Sequence, residues 1–350
     1  MTKTNPGRFF EDFRVGETLR HATPRTVTVG DVALYTALTG SRFAVQSSDA
    51  FAKALGYPAA PLDDFLVFHV VFGKTVPDVS LNAVANLGYA GGRFLKPVFP
   101  GDTLWTTSEV IGLKENSNRE TGTVYVISTG RNQRGEPVLE YNRWVMVRKR
   151  DPKSPTPDAV LPKLGERVDP SLIGGAVPEL DPKAYDTGLA GSPHRFGDYQ
   201  AGEKIDHVDG MTFEEAEHQL ATRLYQNTAK VHFNAHTERQ GRFGKRIIYG
   251  GHVISIARAL SFNGLANAFH IAALNGGRHV APTFAGDTLY AWSEVLETSA
   301  VRDRADVGAL RIRTIALKDR SADGFPGRKA DGSYEDGVVL DLDYWAILPR

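Results

Sequence analysis

Two stretches of this chain are apolar almost all the way round a helix: FLVFHVVF (65–72) and VISIARALSF (253–262). A surface helix shows a single apolar stripe, so a helix apolar on every side predicts burial inside a core. We therefore expect buried helices over Phe65–Lys74 and His252–Asn263. Ahead of each lies a stretch with apolar residues at helical spacing (Val29–Thr39; Phe213–Tyr225), then an irregular polar segment (Gly40–Tyr57; Gln226–Arg246). The residues that follow are rich in β-branched and aromatic types, as in TLWTTSEVIGL (103–113), TVYVISTGR (123–131) and LEYNRWVMVR (139–148), and read as long strands. A buried helix followed by several long antiparallel strands predicts an α+β fold, a curved sheet wrapped around a central helix.

The two sets of elements are copies of each other. GGRFLKPVFPGDTLWTTSEVI (91–111) and GGRHVAPTFAGDTLYAWSEVL (276–296) agree at 12 of 21 positions at an offset of 185. Upstream, FEDFRVGE (10–17) echoes FGDYQAGE (196–203), and His21 and His207 keep the same offset of 186. Downstream, VLEYNRWVMV (138–147) echoes VLDLDYWAIL (339–348) at 201, the added residues fitting a Gly- and Asp-rich loop around Ser321–Asp336. This predicts an N-terminal domain over 1–150, a proline-dense linker over 151–193 and a C-terminal domain over 194–350. Two such copies would pair about a pseudo-twofold axis.

Composition narrows the function. With 41 Lys+Arg against 41 Asp+Glu, the chain lacks the basic surplus expected of a nucleic-acid or anionic-membrane binder. Zero Cys among 350 residues excludes disulfides, thiolate metal sites and a Cys nucleophile. The start, MTKTNPGRFF, lacks an apolar signal core, and no run of about 18 apolar residues occurs, so a cytoplasmic protein is expected. Phosphate-loop and nucleophile-elbow motifs are absent. Two histidines four apart, His232 and His236, lack a third ligand at motif spacing, and no metal is expected.

The copies differ where chemistry would sit. In the irregular segment Ser41 corresponds to Asn227 and Gln46 to His232, so only the second half has an imidazole, five residues after a carboxamide. At the start of the second buried helix, Tyr249-Gly250-Gly251 offers free backbone N–H groups, whereas the first half has Leu62-Asp63-Asp64, whose carboxylates would repel a developing oxyanion. The second half therefore reads as the catalytic one. His69, inside FLVFHVVF, reads as a core histidine, and His252 as a residue packed at a helix start.

The chain resembles the MaoC-like, (R)-specific enoyl-CoA hydratases of the hot-dog fold, and over nearly its whole length. FLKPVFPGDTL and HVAPTFAGDTL carry the resemblance most clearly. The family's motif G-D-x-N-P-[LIV]-H is represented by Gln226-Asn227-Thr228-Ala229-Lys230-Val231-His232, in which the aliphatic position and His232 match. Gly40, Val45 and Phe51-Ala52 are the corresponding remnants in the first half. The duplicated layout, with Thr222–Asn234, is most similar to the mesaconyl-CoA hydratase (β-methylmalyl-CoA dehydratase) branch. The resemblance implies a double hot-dog fold and the interconversion of 2-methylmalyl-CoA with mesaconyl-CoA and water. No cofactor is implied, CoA being part of the substrate, and a homo-oligomer is expected.

It also implies roles. A histidine can act as both base and acid near neutral pH, and the enolate oxygen needs preorganised donors. His232 takes the first task and the Gly250/Gly251 position the second, while Asn227, where the family has Asp, orients the water. Glu238 is the first alternative source of a carboxylate. The first half is expected to supply the CoA groove through Ala60, Pro61, Leu62 and Asp63, through Asn86, Leu87, Gly88 and Tyr89, and through Arg93 with Lys96, Pro97, Val98 and Phe99. Lys230, with Arg42 and Arg223 as substitutes, is the candidate partner for the substrate's second carboxylate. A broader enoyl-CoA hydratase, a hot-dog thioesterase and a catalytically silent acyl-CoA-binding protein stay open as alternatives.

Overall fold

A computed structural model describes residues 3–155 and 157–350; Met1, Thr2 and Thr156, the last within the expected linker, lie outside it. Among the described residues eleven strands form one antiparallel sheet. From one edge to the other run Thr18–Arg20, Thr103–Glu115, Thr121–Arg131, Pro137–Arg148, Ala83–Phe94, His270–His279, Val338–Pro349, Val307–Lys318, Thr288–Ala300 and Lys204–Thr212, with Arg25–Thr26 paired beside the second of these. The order reads the same from either end, as two equivalent halves joined along one seam require. Each half packs its buried helix, Asp64–Thr75 or Gly250–Leu260, against its own strands. No helix among the described residues is long and apolar enough to cross a membrane.

The seam is the pairing of Ala83–Phe94 with His270–His279, in which Tyr89 opposes Gly277, Ala90 opposes Gly276, and Gly92 opposes Leu274. Exchanging the halves at the offset of 185 turns the first pair into the third, so the pseudo-twofold axis passes through the seam. Side chains of both halves then merge into a single core, with Phe65, Phe68 and Phe72 from one helix and Val253, Ile254 and Ile256 from the other. Polar bonds cross the same contact: His69 Nε2 lies 2.8 Å from Ser255 Oγ, and the Tyr35 hydroxyl donates to Ser255 Oγ at 3.0 Å.

Segment 151–193 is no free tether. Val160 pairs with Leu113 of the N-terminal half, and Val168, Ile173, Val177, Leu180 and Tyr185 are buried in a second cluster with Ala273, Ala309, Trp345 and Ile347, so this later part straps the C-terminal half. The Trp345 indole donates to the Val168 carbonyl at 3.0 Å and fixes the strap from below. The Gly- and Asp-rich insertion lies between strands Val307–Lys318 and Val338–Pro349, as its composition predicts.

Pseudo-symmetry gives each buried helix an N-terminal site closed off by the other half's seam strand. At the first helix that site is filled. Asp64 lies 2.9 Å from His270 Nδ1 and accepts the Ile271 N–H at 2.7 Å, while Asp63 caps the helix by accepting the Phe65 N–H at 2.9 Å. Ala176 of the strap closes it further, and a void of about 10 Å³ remains. We predict that Asp64→Ala lowers stability by about 1–3 kcal/mol, because a buried N–H and an imidazole lose their partner. Urea unfolding with an unchanged m-value would check it; an unshifted midpoint would show that the bridge contributes nothing.

Candidate active site

The equivalent site at the second helix is open, a cavity of about 400 Å³. Asn227, His232, Tyr249, Gly250 and His279 reach it from the C-terminal half, and Phe72, Ser80, Asn86, Tyr89 and Arg143 from the N-terminal half. Among the described residues no Asp or Glu lines it.

The loop that carries the imidazole is placed from both sides. Helix Glu215–Leu224 ends at Tyr225, and Gln226 takes a positive φ of 52°, which turns the chain back toward the core. Lys74, on the last turn of the first buried helix, hydrogen-bonds the Gln226 side chain, so the N-terminal half holds the loop of the other. Asn227 is buried; its N–H donates to the Thr222 carbonyl at 3.1 Å and its Oδ1 accepts the Ala229 N–H at 2.9 Å. With Oδ1 engaged, the Nδ2 amide is the donor left for a cavity ligand.

His232 ends the short helical turn Lys230–His232. Its Nδ1 lies 3.1 Å from the Ile247 carbonyl, and the Ile247 N–H returns a bond to the Val231 carbonyl at 3.1 Å. A carbonyl only accepts, so Nδ1 carries the proton and Nε2 keeps its lone pair. Tyr249 packs edge-on against the ring, centroids 5.5 Å apart. Burial pushes His232 down to about 4, the Ile247 carbonyl opposing. The imidazole is therefore neutral at pH 7 and ready to accept a proton.

A second imidazole, His279, sits on Gly250: a Cβ at Gly250 would lie 2.5 Å from the His279 ring. Burial pushes His279 down to about 4 as well. Gly250 is the first residue of the second buried helix, and the earliest helical bonds to the Tyr249 carbonyl come from His252 and Val253. Its N–H has no intrahelical acceptor and lies at the positive end of the helix dipole, in a residue that lines the cavity.

Of the residues expected from the sequence, His232, Asn227, Gly250, Asn86 and Tyr89 meet in this cavity. Gly251 lies behind, against Tyr249 and His69, and Gly88 packs under Trp144. Leu87 lies on the seam strand without lining the cavity. Pro61, Leu62, Lys96, Pro97 and Val98 line the filled site of the N-terminal half instead; Asp63 caps a helix, Ala60 donates its N–H to Asp49 and Phe99 donates its N–H to Asp102. Arg93 pairs with Glu140 at 3.0 Å and Lys96 with Glu136 at 2.7 Å. Lys230, Arg42 and Arg223 are exposed and do not line the cavity, the Arg42 guanidinium stacking on Phe262; nor does Glu238 line it. Among the described residues no cluster of three potential metal ligands occurs.

His279 and Arg143 were not anticipated from the sequence. His279 stands where the first half has Phe94, a difference inside the best-matched repeat. Arg143 occupies an inward phase of its strand, between Tyr141 and Val145, where alternation calls for an apolar residue.

The sheet closed around two buried helices, with a neutral histidine in a cavity at one helix N-terminus, is a MaoC-like double hot-dog. A solved MaoC domain protein from Chloroflexus aurantiacus J-10-fl superposes with a TM-score of 0.98 at 63% identity, covering 100% of this chain and 99% of that one. The profile of the mesaconyl-CoA hydratase family matches residues 1–332, and the chain belongs to that family. It is 63% identical over 349 residues to the β-methylmalyl-CoA dehydratase of Chloroflexus aurantiacus, covering 99% of each. It is 62% identical over 349 residues to the mesaconyl-CoA hydratase of Cereibacter sphaeroides, covering 99% of this chain and 100% of the relative.

The depressed histidines make stability pH-dependent. A His near 6.5 in the unfolded chain and near 4 in the fold binds its proton more readily when unfolded. That contribution is complete above pH 6.5 and is lost as pH falls toward 4. The thermal midpoint should drop steadily over this window, and His232→Gln should flatten the fall; a midpoint constant from pH 7 to 4.5 would contradict the buried neutral state. Lys230→Met, by contrast, should change activity by no more than about twofold, as expected of a solvated side chain.

Proposed function

We propose that this chain reversibly adds water to a short, branched enoyl-CoA thioester bearing a second carboxylate, interconverting mesaconyl-CoA and 2-methylmalyl-CoA. The observation that carries the reading is His232, a neutral imidazole with Nε2 free, in a cavity beside a helix N-terminus. Family membership and two relatives above 60% identity, one named for β-methylmalyl-CoA and one for mesaconyl-CoA, support it.

In the hydration direction a water lies between Asn227 Nδ2 and His232 Nε2, above Cβ of the enoyl group. Nε2 takes the proton as the oxygen bonds to Cβ, and the π electrons move through Cα to the thioester oxygen. The enolate oxygen accepts from the Gly250 N–H, which needs no reorganisation because the helix already aims it. The imidazolium then gives the proton to Cα and the carbonyl re-forms. One histidine serves as base and then acid, so a second titrating carboxylate is not required. The low affinity of His232 for protons favours the second transfer, and the enolate beside it offsets the cost of the first.

The test follows loss of the enoyl absorbance together with release of free thiol. Mesaconyl-CoA should lose absorbance without thiol release. His232→Ala should lower kcat about 100-fold or more, the usual weight of a general acid–base group. Asn227→Ala should lower it less, and Asn227→Asp, which adds a negative charge beside the developing enolate, should also lower it and alter the pH profile. Thiol release in place of hydration, or a fully active His232→Ala, would refute this reading.

A further inference from the structure

Arg143 is the most deeply buried cation lining the cavity, and among the described residues that line it no carboxylate neutralises it. It is 1% exposed, on the inward face of strand Pro137–Arg148. Nη2 donates to Ser80 Oγ at 3.2 Å and the guanidinium lies 4.3 Å over the Phe72 ring, while Nε and Nη1 are buried without a partner. The ionisable groups that act on it are Tyr141, Tyr89 and Tyr249, with no carboxylate among them. An arginine stays charged in proteins, and leaving a buried charge unpaired is strongly unfavourable.

The neighbours are unsatisfied too. Asn86 has both side-chain atoms, Oδ1 and Nδ2, buried without a partner, and the Tyr249 hydroxyl is likewise unpaired. The sheet register puts them together: Tyr89 opposes Arg143 and Asn86 opposes Val145 on adjacent strands, all lining the cavity with His232. The equivalent positions of the other half are Tyr344 for Arg143 and Ile271 for Asn86, so the polar group exists only where the C-terminal imidazole faces it.

We propose that Arg143, with the Asn86 amide and the Tyr249 hydroxyl, forms the receptor for the free carboxylate of a dicarboxylic acyl group, and so sets the enzyme's preference for such thioesters over plain enoyl-CoA. The proposal rests on the hydratase reading for the identity of the thioester, but the subsite is defined by its own unpaired donors. Arg242, which also lines the cavity, is solvent-exposed and carries no comparable desolvation.

Two measurements separate the subsite from the chemistry. In turnover, Arg143→Met should lower kcat/KM for mesaconyl-CoA about 100-fold and for crotonyl-CoA less than about fivefold, the loss expected when one member of a buried charge pair is removed. Arg143→Lys should give an intermediate ratio, keeping the charge without the planar fork. In equilibrium binding, the unreactive methylsuccinyl-CoA should weaken on Arg143→Met by a similar factor and butyryl-CoA hardly at all. If wild-type protein hydrates neither substrate yet binds methylsuccinyl-CoA in an Arg143-dependent way, the hydratase reading fails and the subsite stands. Equal losses for both members of each pair, in a variant with wild-type circular dichroism, overturn the subsite. Should Arg143→Met fail to fold, the wild-type protein decides: the primary amide of mesaconyl-CoA, isosteric with the acid but uncharged, must react at least about 50-fold more slowly than the acid, and equal rates reject the proposal.

Discussion

Everything at the open site depends on the register of one strand pair, the seam between Ala83–Phe94 and His270–His279. Side chains alternate across a sheet, and the irregularity between Asn86 and Gly88 lets Asn86 and Tyr89, three residues apart, both reach the cavity; a slip of one residue would undo that placement. The register is held on both sides, because each seam strand also pairs within its own half. Glycines at 91, 92, 276 and 277 surround the axis and let the halves approach closely; a Cβ at Gly92 would already press on Leu274 at 3.0 Å. The active cavity is thus a product of neither half alone. His232 and Gly250 belong to one, and Asn86, Tyr89 and Arg143 to the other.

The same symmetry offers two sites, and the chain uses it unequally. Where the second helix begins with glycines and a bare N–H, the first begins with two carboxylates, of which Asp64 binds across the seam to His270 and Ile271 and Asp63 caps its own helix. Gln46, in the position of His232, donates to the Phe269 carbonyl at 2.6 Å and acts as a stitch. A carboxylate at a helix N-terminus is favourable for the helix and hostile to an incoming oxyanion. The filled site therefore exchanges reactivity for cohesion, and its rigidity supports the strand that forms one wall of the open site.

Much of this was legible in the sequence because the repeat carries it. The two apolar helices, the strands after them, the irregular loop and the unequal distribution of His232 and the aspartates all follow from comparing the copies. The residues expected for the groove divide between the two sites, and the reason is geometric. Ala60–Asp63 and Lys96–Phe99 are the first half's own versions of the segments around Gly250 and Thr283, so they build that half's own filled site. The seam strand, its neighbour and the end of the first buried helix with the turn after it cross to the other site, so Asn86 and Tyr89 line the open cavity and Pro61 and Val98 the filled one. Arg143 escaped notice because a cation in a strand reads as a solvent-facing residue, and only its phase relative to Tyr141 and Val145 shows otherwise. Lys230 drew attention for the opposite reason: it is near His232 in sequence, but its side chain is exposed.

The carboxamide at position 227 then has a physical explanation within the proposed reading. A double hot-dog acting on a monocarboxylic enoyl-CoA can hold an aspartate beside its histidine, because the enolate is the only other negative charge to develop there. A dicarboxylic acyl group brings a permanent anion into the same enclosed volume, where charges interact far more strongly than in water. A third negative charge at 227 would raise the energy of the enolate and compete with the substrate for Arg143. Asparagine keeps the geometry, with Oδ1 tied to the Ala229 N–H and an N–H directed at the water, and removes the charge. Among the described residues that line it, the cavity has neutral imidazoles, neutral amides and buried arginine and no acidic side chain, so within the proposed reading the anionic groups that complete its electrostatics arrive with the substrate.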